Sequence, residues 1–98
     1  MPKYALYLHL KAKHGKEAEI ESFLSHGARL AAAEPGTTHW FGFKEDTPGV
    51  YGVFDTFDDE AGRDAHLNGE IAKALMAKAT EYFVEPPAIH KITLVAEK

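Results

Sequence analysis

The sequence predicts a single α+β domain over residues 1–98, with the ferredoxin-like order β-α-β-β-α-β and an antiparallel sheet in the strand order 4-1-3-2. Two observations predict this class. Stretches rich in aromatic and β-branched residues alternate with stretches whose apolar residues recur at helical spacing. No repeat, low-complexity tract or linker divides the chain, and its 98 residues suit one hydrophobic core.

The first half of the chain predicts a strand and a helix. "YALYLHLKA" (4–12) is apolar on both faces, which is typical of a strand covered on two sides. From Lys16 onward, the apolar residues fall on one helical stripe, formed by Ile20, Phe23, Leu24, Leu30 and Ala31. "EPG" (34–36) ends this helix, because Pro35 disfavours helical backbone at the residue before it.

A hairpin follows. "THWFGFK" (38–44) and "VYGVFDTF" (50–57) are aromatic strand candidates joined by "EDTPG". Pro48 and Gly49 suit the two central positions of a type II turn, with Thr47 and Val50 at its ends.

The second helical layer is split in two. Asp58 suits the N-cap of a short helix whose inner side is marked by Ala61 and Ala65, and "NG" (68–69) ends it. The next helix is expected to bury Ile71, Ala72, Leu75, Met76 and Ala79. "EPP" (85–87) then leads into a last strand, "AIHKITLVAEK" (88–98).

Composition excludes several function classes. A net charge of -4 leaves no basic surface for nucleic acid. The chain has no cysteine, which excludes disulfides and thiolate metal sites and fits a reducing compartment. No stretch is apolar enough for a signal peptide or a membrane span. We therefore expect a cytoplasmic protein with no nucleic-acid or membrane partner.

The predicted topology places both helical segments on one face of the sheet. Aromatic and aliphatic side chains point to both sides of the strands, so the other face would be a large apolar patch. Large exposed apolar patches on proteins usually mark interfaces. The sequence therefore predicts a homodimer that packs sheet against sheet.

The chain resembles the antibiotic biosynthesis monooxygenase-like family of the dimeric α+β barrel superfamily over nearly its whole length. The resemblance lies in "HGKEAEIESFL", in "EPGTTHWFGF" and above all in "VFDTFDDEAGRDAHLNGEIAKAL". It implies a dimeric α+β barrel and a shape shared by oxygenases, haem-degrading proteins and isomerase-like members.

The resemblance favours one branch of that family. Val53, Phe57 and Arg63 fall where phenol oxygenases of this group carry Asn, Trp and Tyr. His66 replaces a Trp of the haem-degrading members, whose axial His falls near Met76. His66 matches the small quinol-oxygenase-like and autoinducer-degrading-like members. The resemblance therefore implies a cofactor-independent monooxygenase, with no metal, acting on a small aromatic or quinol-like molecule.

The residue types suit that chemistry. His66 is the candidate catalytic base, since imidazole accepts a proton near neutral pH. An aromatic pocket would hold a flat ring and exclude water. Its candidate substrate-binding residues are Trp40, Phe41, Tyr51, Phe54 and His39. Asp55 is expected to face away from Phe54 and Phe57 and to orient a histidine.

Each candidate also has a structural interpretation. His66 would be a partly exposed residue at the end of a helix dipole. His39 and the aromatic residues would belong to the surface or to the dimer core. His9 and His90 lie on neighbouring strands but lack a carboxylate at ligand spacing, which makes a metal site a weak hypothesis. The alternatives are thus a non-catalytic dimeric binding domain, or an isomerase-like or degradative enzyme that needs no oxygen.

Overall fold

The computed structural model describes all 98 residues and contains four strands and three helices. They are β1 (Tyr4–Lys11), α1 (Glu17–Ala31), β2 (Thr37–Lys44), β3 (Val50–Phe57), α2 (Glu60–Leu67), α3 (Glu70–Tyr82) and β4 (Ala88–Thr93). The strands form one antiparallel sheet in the order β2-β3-β1-β4. Counted from the other edge, this is the predicted order 4-1-3-2, so the predicted fold class is confirmed.

The helices cover one face of this sheet, and the core lies between the two layers. Strand side chains alternate between faces, so every second residue of β1 and β3 enters the core. Those side chains meet the apolar stripes of α1 and α3. The buried contributors include Leu6, Leu10, Ile20, Tyr51, Phe57 and Leu75.

The turn between β2 and β3 has the predicted geometry. The amide of Val50 donates to the carbonyl oxygen of Thr47 over 3.2 Å. Gly49 has a φ of 81°, which is the left-handed conformation that the second central position of a type II turn requires. The predicted type II turn is confirmed.

Helix α2 differs from the prediction in its cap and in its buried side. Asp59, not Asp58, is the N-cap, and its carboxylate accepts from the amide of Gly62. Arg63 and His66 are buried, whereas Ala61 and Ala65 are exposed. Alanine buries little apolar surface, so two alanines do not decide which side of an eight-residue helix faces the core.

A close backbone contact holds α2 against the turn between α1 and β2. A methyl group added at Gly36 would lie 3.0 Å from Cα of Gly62. One added at Gly62 would lie 2.9 Å from the carbonyl oxygen of Gly36. The two backbone segments approach this closely because neither Gly36 nor Gly62 has a side chain.

Helix α3 differs from the prediction in one buried residue, and strand β4 differs in its length. Met76 was expected in the core, but 55% of it is exposed, because it lies at the border of the apolar stripe of α3. The last strand ends at Thr93 rather than continuing to Lys98. None of the three helices is both long and apolar enough to cross a membrane.

The other face of the sheet carries no helix and is rich in rings. Tyr7 stacks on Phe43 and on His90, with ring centroids 6.2 and 5.5 Å apart. His39 stacks on Phe41, which is 55% exposed. We call this surface, with Phe54 at its middle strand, the open face.

Candidate functional site

His66 lies between two carboxylates that come from different parts of the chain. Its Nδ1 is 2.6 Å from Oε1 of Glu34, and its Nε2 is 2.9 Å from Oδ2 of Asp55. Only 7% of His66 is exposed, and the Phe57 ring lies 5.5 Å away, centroid to centroid. Both ring nitrogens are thus engaged by carboxylate oxygens inside the protein.

Asp55 is the inner member of this group. It lies in the middle of β3, faces the helices and is fully buried. Its contact with Nε2 of His66 is short but out of line for a hydrogen bond, and Oδ1 has no hydrogen-bond partner. A buried carboxylate oxygen without a partner is rare in proteins, because its desolvation is costly.

Glu34 is the outer member. It lies in the turn after α1, and its Oε1 also accepts a hydrogen bond from the hydroxyl of Thr37 over 2.8 Å. The contact between Gly36 and Gly62 brings this turn against α2, which puts Glu34 within reach of His66. The carboxylate of Glu34 retains some exposure, 24% of its side chain.

Burial and the short contacts act in opposite directions on these groups. Burial raises the pKa of Asp55, and the neighbouring His66 only partly offsets this. Burial alone would lower the pKa of His66, but the contacts with Asp55 and Glu34 outweigh it, so the pKa of His66 is raised. The two neighbouring carboxylates therefore favour the protonated form of the His66 ring.

Asp55 and His66 are the polar groups of an otherwise apolar pocket between the sheet and the helices. The pocket has a volume of about 90 Å³, and twelve of its fourteen lining residues are hydrophobic. Met76 and Ile89, which are 55% and 45% exposed, lie at its border with solvent. The arrangement can hold a small apolar molecule next to a group able to take or give a proton.

Two of the predicted pocket residues lie on the same side of the sheet as His66. Trp40 is the cross-strand partner of Asp55 and lines the pocket. Tyr51 lines a separate groove between α1 and β2, with a volume of about 350 Å³, which Trp40 also borders. The Tyr51 hydroxyl donates to Glu21 over 2.6 Å, and this hydrogen bond raises the pKa of Tyr51 to about 12.

Phe54 and His39 do not belong to this pocket. Side chains alternate along β3, so Phe54 points to the open face while Asp55 points to the helices. His39 is exposed on the same open face, with its Nδ1 3.2 Å from the hydroxyl of Thr56. The same alternation puts Phe57 on the side of Asp55, contrary to the prediction.

The structural interpretation of His66 as a partly exposed helix-end residue is wrong, because the ring is buried. His9 lies 3.9 Å from Glu45, and His90 stacks on Tyr7. No set of three or more His, Cys, Asp or Glu side chains has the geometry to hold a metal ion.

Sequence reasoning missed Glu34 and gave Asp55 too small a part. Glu34 was interpreted only as the residue at which a helix stops. Asp55 carried a signal, since a carboxylate in the middle of the apolar strand "VYGVFDTF" is costly to bury unless it has a function. Glu34 had no such signal, because glutamate before a Pro-Gly turn is ordinary.

Solved structures give the comparison with known proteins. A protein of unknown function from Nitrosomonas europaea is 53% identical, with a TM-score of 0.94, over 100% of this chain and 94% of that one. A Caulobacter crescentus CB15 protein described as a "putative antibiotic biosynthesis monooxygenase" is 25% identical, with a TM-score of 0.82, over 97% of this chain and 92% of that one.

A Mycobacterium tuberculosis protein shares the fold at 15% identity, with a TM-score of 0.87, over 97% of each chain. No protein-family model matches this sequence, and no curated protein matches it.

Proposed function

Because the chain belongs to the antibiotic biosynthesis monooxygenase-like family, we propose that it is a cytoplasmic oxygenase of a small aromatic or quinol-like molecule. One observation carries the proposal: the carboxylate of Asp55, paired with His66, is buried at an otherwise apolar pocket. An apolar pocket suits a flat ring, and the pair suits the removal of a hydroxyl proton from it.

In this proposal, Asp55 and His66 act as a unit. His66 alone is a poor base, because both of its nitrogens already face carboxylates. Asp55 has an oxygen without a partner and a raised pKa, so it can take the proton of a substrate hydroxyl. The imidazolium of His66 keeps Asp55 ionised until the substrate arrives.

The electrons for the reaction would come from the substrate. The deprotonated quinol gives one electron to dioxygen, and the two radicals combine at a ring carbon. Loss of water then leaves a hydroxyquinone, so one oxygen atom enters the ring and the other leaves as water. This balance needs no bound cofactor, and a dry pocket protects the intermediates.

The size of the pocket favours a single ring. An apolar cavity of roughly 150 Å³ accepts benzene in another protein. The pocket has about 90 Å³, so a monocyclic quinol needs some movement of its border, and Met76 and Ile89 are the exposed side chains placed there. Fused-ring substrates would need a larger rearrangement.

We further propose that the protein is a homodimer joined through the open face. Phe41, Phe43, Phe54 and Tyr7 make that face apolar, and Phe41 is 55% exposed. An apolar surface of this kind on a sheet is a typical interface.

The test is oxygen uptake by the purified protein with a panel of monocyclic and bicyclic hydroquinones and phenols. We expect uptake above autoxidation with monocyclic quinols, and a loss on the order of 100-fold in both Asp55→Asn and His66→Ala. His39→Ala is the matched control, since His39 lies outside the pocket, and it should keep the activity. No uptake by the parent protein with any compound would contradict the oxygenase proposal.

A second candidate is a non-catalytic dimeric binding domain. The substitution of the phenol-oxygenase Asn, Trp and Tyr by Val53, Phe57 and Arg63 favours it. A third is an oxygen-independent isomerase-like or degradative enzyme, which the proton-transfer pair would equally serve. Binding of a quinol without turnover would support the second candidate, and turnover that persists without oxygen would support the third.

A further inference from the structure

Glu34, His66 and Asp55 form a continuous line from the protein surface to the pocket. Exposure falls along it, from 24% at the Glu34 side chain to 7% at His66 and 0% at Asp55. The two contacts that join the line are 2.6 and 2.9 Å long. The contact between His66 and Glu34 is a hydrogen bond along which a proton can pass, whereas His66 and Asp55 act on each other through their charges.

We propose that Glu34 is the outlet through which His66 gives a proton to solvent when Asp55 takes one up from the pocket. The inference rests on the pocket of the proposed function, but it concerns a residue that neither the sequence nor the family resemblance singled out. Glu34 acts through His66 and touches no substrate.

Proton uptake in a buried pocket calls for such an outlet. When Asp55 takes a proton from a substrate, it loses the charge that helps to hold the imidazolium of His66, and Asp55 is fully buried in apolar surroundings. Glu34 is the one of the three groups with access to water, and the Thr37 hydroxyl fixes its Oε1 toward the site. His66 has one nitrogen for each carboxylate, so its Nδ1 proton can leave through Glu34 while Nε2 keeps its proton toward Asp55.

The transfer balances in protons and in charge. Asp55 starts as a carboxylate, His66 as an imidazolium and Glu34 as a carboxylate. Asp55 accepts the substrate proton, His66 then gives its Nδ1 proton to Glu34, and Glu34 gives a proton to water. The substrate proton now lies on Asp55 and the ring of His66 is neutral, while the proton from Nδ1 has left at the surface, so the net charge of the three groups is unchanged. The reverse sequence returns a proton to the product.

The other charged groups near His66 do not offer a second path. Asp55 reaches the ring from β3, and Glu34 reaches it from the turn before β2. Arg63, one turn earlier on α2, donates to the carbonyl oxygen of Ile92 and lies over the Tyr4 ring, 5.1 Å from its centroid. An arginine stays charged throughout the relevant pH range and cannot relay a proton.

The test uses the full-length protein without substrate, labelled with ¹⁵N at its histidines. The measured quantities are the charge state of the His66 ring and the rate at which its Nδ1 proton exchanges with water. In Glu34→Gln, the side-chain oxygen still accepts from Nδ1 but cannot take up the proton. We expect exchange to slow by at least about tenfold, with unchanged folding.

Glu45→Gln is the matched control. It also neutralises a glutamate beside a histidine, since Glu45 lies 3.9 Å from His9, but it has no connection to the pocket. Exchange at His66 should remain at the parent rate in this variant. Exchange in Glu34→Gln at the parent rate would overturn the proposal.

Chemical rescue separates a proton path from a merely structural role. In Glu34→Ala, added formate should restore exchange in proportion to its concentration, whereas chloride at the same ionic strength should not. Absence of rescue with a folded protein would overturn the proposed role of Glu34. Because no substrate is involved, these results stand even if the oxygen-uptake assay is negative.

Discussion

The two faces of the sheet carry similar residue types but have opposite properties. On the covered face, His66 is buried between two carboxylates at a small pocket. On the open face, His39 is exposed beside the Thr56 hydroxyl and stacks on Phe41. Residues 54 and 55 are neighbours in the chain, yet Phe54 belongs to one face and Asp55 to the other. The chemistry of a residue here is decided by which face it lies on.

The largest expected effect is the difference in the free energy of unfolding between two variants, each of which lacks the histidine of one face. His66→Ala leaves the buried Asp55 without its charge partner and should lower the free energy of unfolding by about 3 kcal/mol. His39→Ala removes an exposed ring and should change it by less than about 0.5 kcal/mol. Urea unfolding followed by circular dichroism measures both.

The parent protein provides the reference for both variants at one protein concentration and pH. Equal losses of unfolding free energy in the two variants would contradict the description of His66 as buried and charge-paired and of His39 as exposed.

The next largest effect is expected on the affinity of the proposed homodimer, which the open face would join. Phe41→Asp places a charge among the exposed rings and should weaken the proposed homodimer by about 2 kcal/mol, which is roughly a 30-fold increase in its dissociation constant. Analytical ultracentrifugation over a range of concentrations measures this.

Ala77→Asp, an exposed change on α3, controls for the added negative charge. A parent protein that is monomeric at every concentration would contradict the dimer proposal.

The smallest expected effect is the pH dependence of stability. The pKa values of His66 and Asp55 are both raised in the folded protein, so the folded state binds more protons than the unfolded state. Stability from these groups therefore falls as pH rises, beginning near pH 4 for Asp55 and near pH 6.5 for His66. Each unit of raised pKa contributes about 1.4 kcal/mol.

The difference in unfolding free energy between the parent and His66→Gln isolates the histidine contribution. It should be full below about pH 6.5 and shrink at higher pH. A difference that grows with pH would mean that the pKa of His66 is lowered instead, and that burial outweighs the two carboxylates.

Local patterns were enough to predict the order of the elements. The strand candidates, the stripe of α1 and the turn at Gly49 follow from spacings of a few residues, and each has the predicted form. The buried side of α2 was predicted wrongly, because Ala61 and Ala65 bury too little surface to decide it. His66 was predicted as the candidate base, but its burial and its contact with Glu34 were not predicted.

The sequence by itself determined the topology, the existence of one covered and one open face of the sheet, and the presence of a histidine in a short helix after β3. Only the tertiary structure decided that this histidine meets Asp55 and also Glu34, which is 32 positions away in the chain. The physical reason is that strand and helix periodicity arise from contacts between near neighbours. The site depends on the close approach of Gly36 and Gly62, which no local pattern specifies.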